Sequence, residues 1–176
     1  MTASVRVNTH TYATTHVATN MLRGMKQIIR ESGLNITRIQ NQWSVLENGV
    51  ATWLGSGDLK ALVLEVYDPG KPTGADLVGR FDFTIDYTYY GDGDGDLWLD
   101  PDTISYTVRK NGSYPARCEY RLIADTAPGY PAVTGWSTTT LRSTAGFTRH
   151  SVGTAIGGGS LGAGLTYYGR SAQCSA

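Results

Sequence analysis

The chain has 176 residues, a length that predicts one domain with a buried core. It balances 15 Lys and Arg against 15 Asp and Glu, and 40% of its residues are hydrophobic. This composition excludes a disordered charged tail and a basic nucleic-acid module, because no net charge would attract phosphates.

Two amphipathic helices are predicted first, over residues 15–32 and 37–54. Gly33 follows the first helix as a terminator, and Gly49 weakens the second without breaking its period. Apolar residues recur at spacings of three and four, as on the buried face of a helix. In the first helix these are Val17, Met21, Met25 and Ile28, and in the second Ile39, Trp43, Leu46, Val50 and Trp53.

Strands are predicted at 61–67 and at 78–90. In the second strand aromatic and polar residues alternate, which predicts one face in the core and the other in water. Asp100-Pro101-Asp102 then has the capping chemistry of a helix start, and that helix ends near Gly112. A last strand of the body places on one face Cys118, Tyr120, Leu122 and Ala124.

This order of elements predicts an α+β fold, with three helices packed on a mainly antiparallel sheet. The composition changes after residue 127, where 10 of the 22 glycines and only three cations lie, while all acidic residues precede that point. We therefore distinguish a body, 1–127, from a C-terminal glycine-rich segment, 128–176. That segment keeps enough apolar residues to dock on the body, partly as strands.

No catalytic constellation is visible in the sequence. The glycine run 157–162 matches a dinucleotide pattern, yet glycines exclude the helix that should follow and no acidic residue comes after it. Zinc-binding histidine pairs, a nucleophile elbow and a phosphate-binding loop are all missing. The sequence thus predicts a binding or switching protein, not an enzyme, without cofactor or resident metal.

The alternative is a small Ca²⁺-binding domain or enzyme that uses the carboxylate cluster Asp92–Asp100. Asp92, Asp94 and Asp96 alternate with glycines, as at the start of a calcium loop. The glycine and the bidentate glutamate that such a loop needs later are replaced by Leu97 and Thr103. A turn between a strand and a helix explains the same residues.

Several motifs resemble the bacterial HORMA-domain proteins of CBASS anti-phage operons, over nearly the whole chain. The resemblance lies in six stretches, namely Thr52-Trp53-Leu54-Gly55-Ser56-Gly57-Asp58-Leu59, Leu64-Glu65-Val66-Tyr67-Asp68-Pro69, Gly93-Asp94-Gly95 ahead of Trp98, Asp125-Thr126 with Pro128-Gly129, Gly135-Trp136-Ser137, and Arg142-Ser143-Thr144.

The resemblance implies a single HORMA domain over 1–176, with a core, 1–127, and a C-terminal safety belt, 128–176. Such proteins switch conformation and close the belt over a closure-motif peptide, which adds to the sheet as a strand. The closed protein then binds and activates a cGAS-like nucleotidyltransferase that makes a cyclic oligonucleotide second messenger, and an AAA+ ATPase reopens it.

The family topology implies that the peptide lies against the last strand of the body, where Trp136 either clamps it or belongs to the core. The stretch ahead of the first helix is polar and predicted to be unstructured, which suits engagement by the ATPase. The expected peptide-binding residues are Glu119, Tyr120, Arg121, Leu122, Ile123 and Trp136. The expected remodeller-engaging residues are Thr2, Ala3, Ser4, Val5, Arg6, Val7 and Asn8.

A cytoplasmic location is expected, with no direct membrane or nucleic-acid partner. Residues 1–15 lack the apolar region of a secretory signal, and no apolar run approaches the length of a membrane span. The two cysteines, Cys118 and Cys174, form no metal-binding pair and are expected as free thiols.

Overall fold

The computed structural model describes residues 3–88, 98–158 and 161–170, with residues 3–12 described by their backbone alone. Within these ranges the chain forms four helices and six strands. The helices are α1 (Ala3–Glu31), α2 (Thr37–Asn41), α3 (Trp43–Ser56) and α4 (Pro101–Asn111). The strands are β1 (Leu59–Tyr67), β2 (Leu77–Asp86), β3 (Trp98–Leu99), β4 (Glu119–Thr126), β5 (Phe147–Gly158) and β6 (Leu161–Arg170).

The strands form one antiparallel sheet in the order β3-β5-β6-β2-β1-β4. Helix α1 contacts both α3 and α4, and its apolar face packs on the sheet. Phe81 and Phe83 of β2 are fully buried against this layer, where each such side chain contributes about 2–3 kcal/mol. The predicted α+β fold is confirmed, and the β4 end of the sheet carries no further strand in the part of the chain described.

Helix α1 begins twelve residues earlier than the predicted start at Thr15. The prediction that the stretch up to Asn8 is unstructured is wrong for Ala3–Asn8, which are helical, while Thr2 lies outside the described residues. No glycine or proline interrupts the sequence before Gly24, so nothing prevents the helix from extending toward the N-terminus.

The helix predicted over 37–54 is divided at Gln42 into α2 and α3, which makes four helices where three were predicted. Gln42 has φ −102° and ψ 8°, outside helical geometry. The hydroxyl of Tyr120 binds the first turn of α2, because it donates to the carbonyl of Asn35 at 2.5 Å and accepts from the N–H of Ile39 at 3.3 Å. This contact ties the start of α2 to β4.

The sheet face away from the helices is less exposed than the alternation in β2 predicted. Asp82 lies on that face and is only 6% exposed, and its carboxylate pairs with Arg80 at 2.7 Å. Glu65 of β1, on the same face, is fully buried. The predicted wet face of β2 is therefore wrong at Asp82, whereas Thr84 and Asp86 on the same strand are exposed as expected.

Helix α4 begins as predicted, with Asp100 as its N-cap. The Asp100 carboxylate accepts hydrogen bonds from the N–H groups of Asp102 at 3.1 Å and Thr103 at 3.0 Å, and from the Thr103 hydroxyl at 2.7 Å. The hydrogen bonds from Thr103 hold the pKa of Asp100 below its usual value. Pro101 occupies the first helical position, where its missing N–H is harmless.

Replacing Asp100 with alanine is expected to lower the free energy of unfolding by about 1 kcal/mol at neutral pH. Since the folded-state pKa of Asp100 is depressed, the charged cap stabilises fully above about pH 4, and its contribution is lost as the pH falls through the folded value. Urea unfolding of both proteins at neutral and acidic pH measures this. A difference that grows in acid would contradict the capping role.

Candidate functional site: a channel at the edge of the sheet

The segment after β4, residues 127–146, crosses from one side of the sheet to the other and is called the belt segment below. It begins where the N–H of Ala127 donates to the carbonyl of Asp58 at 2.8 Å. It ends at β5, whose partner β6 pairs with β2. The region expected as a belt, 128–176, thus has two parts, because its second part forms strands of the central sheet.

Aromatic residues hold the first part of the belt segment against α3. The indole N–H of Trp53 donates to the carbonyl of Pro131 at 2.8 Å, and Tyr130 packs edge-on against Trp53. Trp136 packs edge-on against the same ring at 4.9 Å between centroids, and its indole N–H donates to the carbonyl of Val45 at 2.9 Å. The belt segment therefore docks on the outer side of α3.

Two glycines permit this docking. A Cβ on Gly49 would collide with the indole of Trp136, so the glycine in α3 provides the seat for that side chain. Gly135 has φ +89°, and a Cβ there would lie 2.6 Å from Cγ1 of Val45. The residue that weakens α3 as a helix is thus required by a contact more than 80 positions away in the sequence.

The far end of the belt segment lies on the sheet face away from the helices. Leu141 packs on a small apolar cluster of β1 and β4. The guanidinium of Arg142 binds Glu65 at 2.9 Å and Asp76 at 3.1 Å. Burial works to lower the pKa of Arg142, but the hydrogen bonds and charges of Glu65 and Asp76 outweigh it and raise that pKa.

A channel of about 480 Å³ separates the belt segment from β4. Apolar and aromatic side chains line it on the α3 side, and hydroxyl-bearing residues of the belt segment line it opposite. A second cavity of about 310 Å³ continues it along β4 beside Gln42 and Arg121. The apolar lining comprises Trp53, Leu122, Ile123, Ala124, Tyr130, Ala132, Val133, Trp136 and Leu141, and the hydroxyl lining Ser137, Thr138, Thr139 and Thr140, together with Thr126 of β4.

The channel exposes the outer backbone edge of β4. Within residues 3–88, 98–158 and 161–170, β4 pairs only with β1, so every second N–H and C=O of β4 points away from the sheet. Toward the start of the strand, Arg38 of α2 donates to the carbonyl of Tyr120 at 3.2 Å. Beyond that point the edge faces the channel, which is the geometry of a site for strand addition.

The structure brings together part of the expected peptide-binding set. Leu122, Ile123 and Trp136 line the channel, and Trp136 also packs against the core, so that both of its expected roles apply. Arg121 binds the belt segment through Thr139 and Thr140.

Two members of the set lie apart from the channel. The side chain of Tyr120 is committed to the core and to α2. Glu119 accepts a hydrogen bond from the hydroxyl of Tyr67 at the start of β4.

Four residues of the site were not expected as such from the sequence: Trp53, Tyr130, Glu65 and Arg142. Trp53 was predicted only on the buried face of a helix. It packs in the core and also lines the channel. Glu65 carried a signal, since it is a carboxylate inside the apolar strand Leu59–Tyr67. Such a residue needs a buried cationic partner, and Arg142 is one of only three cations after residue 127.

The alternative metal site falls on residues that lie mostly outside the described ones, since these omit Asp92, Asp94 and Asp96. Asp100 is described, and its carboxylate caps α4. Across the described ranges no cluster of His, Cys, Asp and Glu is arranged to hold a metal ion. Nor does any helix in those ranges combine the length and apolar character needed to cross a bilayer.

The fold, with the belt segment passing outside the edge strand β4, defines a HORMA domain. HORMA domains are adaptor and binding domains and are not enzymes. The chain belongs to the family Bacterial HORMA domain 2, which matches residues 1–171. This confirms the resemblance seen in the sequence. Comparison with curated proteins finds no match.

Solved structures share the fold at low sequence identity. A chain of the Mitotic Checkpoint Complex aligns with a TM-score of 0.68 and 9% identity, covering 92% of this chain and 97% of that one. C. elegans HTP-1, bound to the HIM-3 closure motif, aligns with a TM-score of 0.62 and 11% identity, covering 87% of this chain and 88% of that one. A chain of the E. coli MS115-1 CdnC:HORMA-deltaN complex aligns with a TM-score of 0.54 and 11% identity, covering 89% of this chain and 87% of that one.

Replacing Gly49 with alanine tests the seat of Trp136. Helix propensity alone would raise the free energy of unfolding by about 1 kcal/mol. We expect a decrease of about 1–3 kcal/mol instead, because the new methyl group overlaps the indole. Chemical denaturation measures the change, and faster proteolysis within residues 127–146 should accompany it.

Gly55→Ala is the matched control in the same helix. A Cβ there meets only Cγ2 of Thr14, at 3.8 Å, so this variant should be as stable as the wild type or more so. If both variants gain stability equally, the seat assigned to Trp136 is wrong.

Proposed function

We propose that this protein is a conformational-switch adaptor that captures closure-motif peptides under its belt segment. The observation that carries the proposal is the channel between β4 and the belt segment, into which the outer edge of β4 faces. A peptide strand that pairs with this edge gains backbone hydrogen bonds independent of its sequence. Alternate side chains then decide selectivity.

The lining of the channel indicates which peptides would bind. In an added strand, successive side chains point to opposite faces of the sheet. One set would face Trp53, Tyr130 and Trp136, where aliphatic or aromatic residues fit. The other set would face Thr139 and Thr140, where small or polar residues fit. We therefore propose a short extended peptide with apolar residues at every second position.

The belt segment closes around the channel, so a peptide enters only when that segment lifts. This supports a switch in which the described arrangement is the closed form. A ligand favours that form only through its greater affinity for it. The relative HTP-1 is bound to a closure motif in its structure, and the proposal assigns the same kind of ligand to this chain.

We further propose that the closed protein binds and activates a cGAS-like nucleotidyltransferase that makes a cyclic oligonucleotide second messenger in anti-phage signalling. Support comes from membership of a bacterial HORMA family and from the fold shared with the HORMA chain of the E. coli CdnC complex. In this proposal the adaptor itself catalyses no reaction on nucleotides.

Trp136→Ala is expected to weaken peptide capture and activation of the nucleotidyltransferase together, by about 1–3 kcal/mol, because a half-buried aromatic anchor that lines the channel is removed. The measurements are the affinity for a peptide selected on the wild-type protein from a random linear library, and second-messenger synthesis by the partner enzyme. Tyr106→Ala removes a half-exposed tyrosine of α4, outside the channel, and should change neither. Full synthesis without peptide binding would contradict activation by closure.

We propose that an AAA+ ATPase reopens the closed form by gripping residues 2–8. Because Ala3–Asn8 form the first turns of α1, the motor would unwind this end of the helix before pulling further. The long helix also packs on both α3 and α4, so force applied there reaches the element on which the belt segment docks.

Deletion of Thr2–Asn8 is expected to preserve peptide capture and to abolish ATP-dependent release of the peptide, since the motor loses its point of attachment. Release of a fluorescent peptide by the ATPase measures this. Deletion of residues 171–176 is the control and should leave release intact. Unchanged release from the N-terminal deletion would show that the ATPase engages another surface.

A further inference from the structure

The middle of β1 holds a fully buried carboxylate, Glu65. The Glu65 side chain is 0% exposed and lies on the sheet face away from the helices, where its strand neighbours toward the N-terminus, Ala61 and Val63, are apolar. Burying a charge is strongly unfavourable unless hydrogen-bonded cations compensate. The groups that offset the charge of Glu65 therefore indicate what this carboxylate does.

Three donors satisfy the Glu65 carboxylate, and two of them come from the end of the belt segment. Arg142 donates its backbone N–H to Oε2 at 2.6 Å and its guanidinium to Oε1 at 2.9 Å. The third donor is Nε of Arg121 in β4, at 2.7 Å from Oε1. The carboxylate is therefore fully bonded only when the belt segment lies in the described path.

Arg121 joins the same cluster to the wall of the channel. Its two terminal nitrogens donate to the hydroxyl of Thr139 at 2.9 Å and to the carbonyl of Thr140 at 2.6 Å. One guanidinium thus connects Glu65 to the part of the belt segment that faces the channel. Arg142 is fixed further by Asp76 and by stacking 4.1 Å over the ring of Tyr67.

We propose that Glu65 is the positioning residue that latches the belt segment shut, so that it controls how long a captured peptide is retained. The inference rests on the proposed peptide capture. Residues 137–141 span the channel between two anchors, Trp136 on α3 and Arg142 on Glu65. A bound peptide leaves only after one anchor releases.

The ionic anchor is suited to reversible release. When the belt segment lifts, water reaches Glu65 and replaces the lost hydrogen bonds, which lowers the free-energy difference between latched and lifted forms. Entry of a peptide needs the lifted form, whereas retention needs the latch. The latch should therefore act on the dissociation rate and leave the association rate of an already lifted protein unchanged.

Glu65→Gln tests the latch, with Asp82→Asn as its matched control. Both changes keep size and neutralise a buried carboxylate paired with arginine on the same sheet face, but Asp82 pairs with Arg80 and not with the belt segment. The first readout is hydrogen exchange of the Arg142 amide, which donates to Glu65, in the full-length protein without peptide. The second is the dissociation rate of a fluorescein-labelled peptide selected from a random linear library on the wild type.

In Glu65→Gln we expect exchange of the Arg142 amide and peptide dissociation to accelerate by about 10- to 100-fold, the size of effect that lost hydrogen bonds to a charged group produce. Association should accelerate by no more than the same factor, because entry needs the lifted form, and Asp82→Asn should stay within about two-fold of wild type in all three measurements. Wild-type exchange of the Arg142 amide in Glu65→Gln, or equal acceleration in Asp82→Asn, would overturn the latch.

Arg142→Met serves if Glu65→Gln does not fold, because it leaves β1 intact and removes only the cationic partner. It should accelerate the same exchange and dissociation, while Arg149→Met, outside the cluster, should not. If the wild type selects no peptide at all, the proposed function fails. Hydrogen exchange still decides whether Glu65 holds the belt segment.

Discussion

Strand β6 pairs with β2, while β4 ends the described sheet on the other side of β1, and the chain between them has to cross. The belt segment makes that crossing by passing outside the edge of β4. A shorter connection would lie directly on the strand and cover its backbone groups. The length of residues 127–146 instead leaves a channel, so the candidate binding site follows from where the last two strands pair.

The two ends of the belt segment are held by different chemistry. At α3 the contact is aromatic, with Trp136 against Trp53 in a seat that Gly49 leaves open. On the sheet it is ionic, with Arg142 on Glu65. An aromatic anchor loses contact area when it detaches, whereas a separated ion pair regains hydration. The proposed latch accordingly places the releasable end of the segment at the ionic contact.

Several predicted site residues serve the scaffold that shapes the channel. Tyr120 is the clearest case, because its hydroxyl fixes α2 and its carbonyl accepts from Arg38. The divided helix that results places Gln42 and Val45 beside the second cavity along β4. A residue expected to contact a peptide thus shapes the wall of the channel from within the core.

Features that depend on local sequence pattern could be predicted before the fold was known. The amphipathic period of α1 and the cap at Asp100 could be recognised because the residues that produce them lie within a few positions of one another. The antiparallel α+β class followed from the order of these elements, and the family from motifs distributed along the chain. Channel residues were predicted only where they fall in β4 or at Trp136.

The remaining features could not be predicted from the sequence, because they depend on interactions between residues that lie far apart in it. Helix α2, which ends at the break, is bound by Tyr120, and Tyr120 donates to Asn35 from 85 positions away. The burial of Glu65 depends on Arg142, 77 positions later. Neither pairing leaves a periodic signal, since a single carboxylate or tyrosine is compatible with many partners until the strands fix which groups meet.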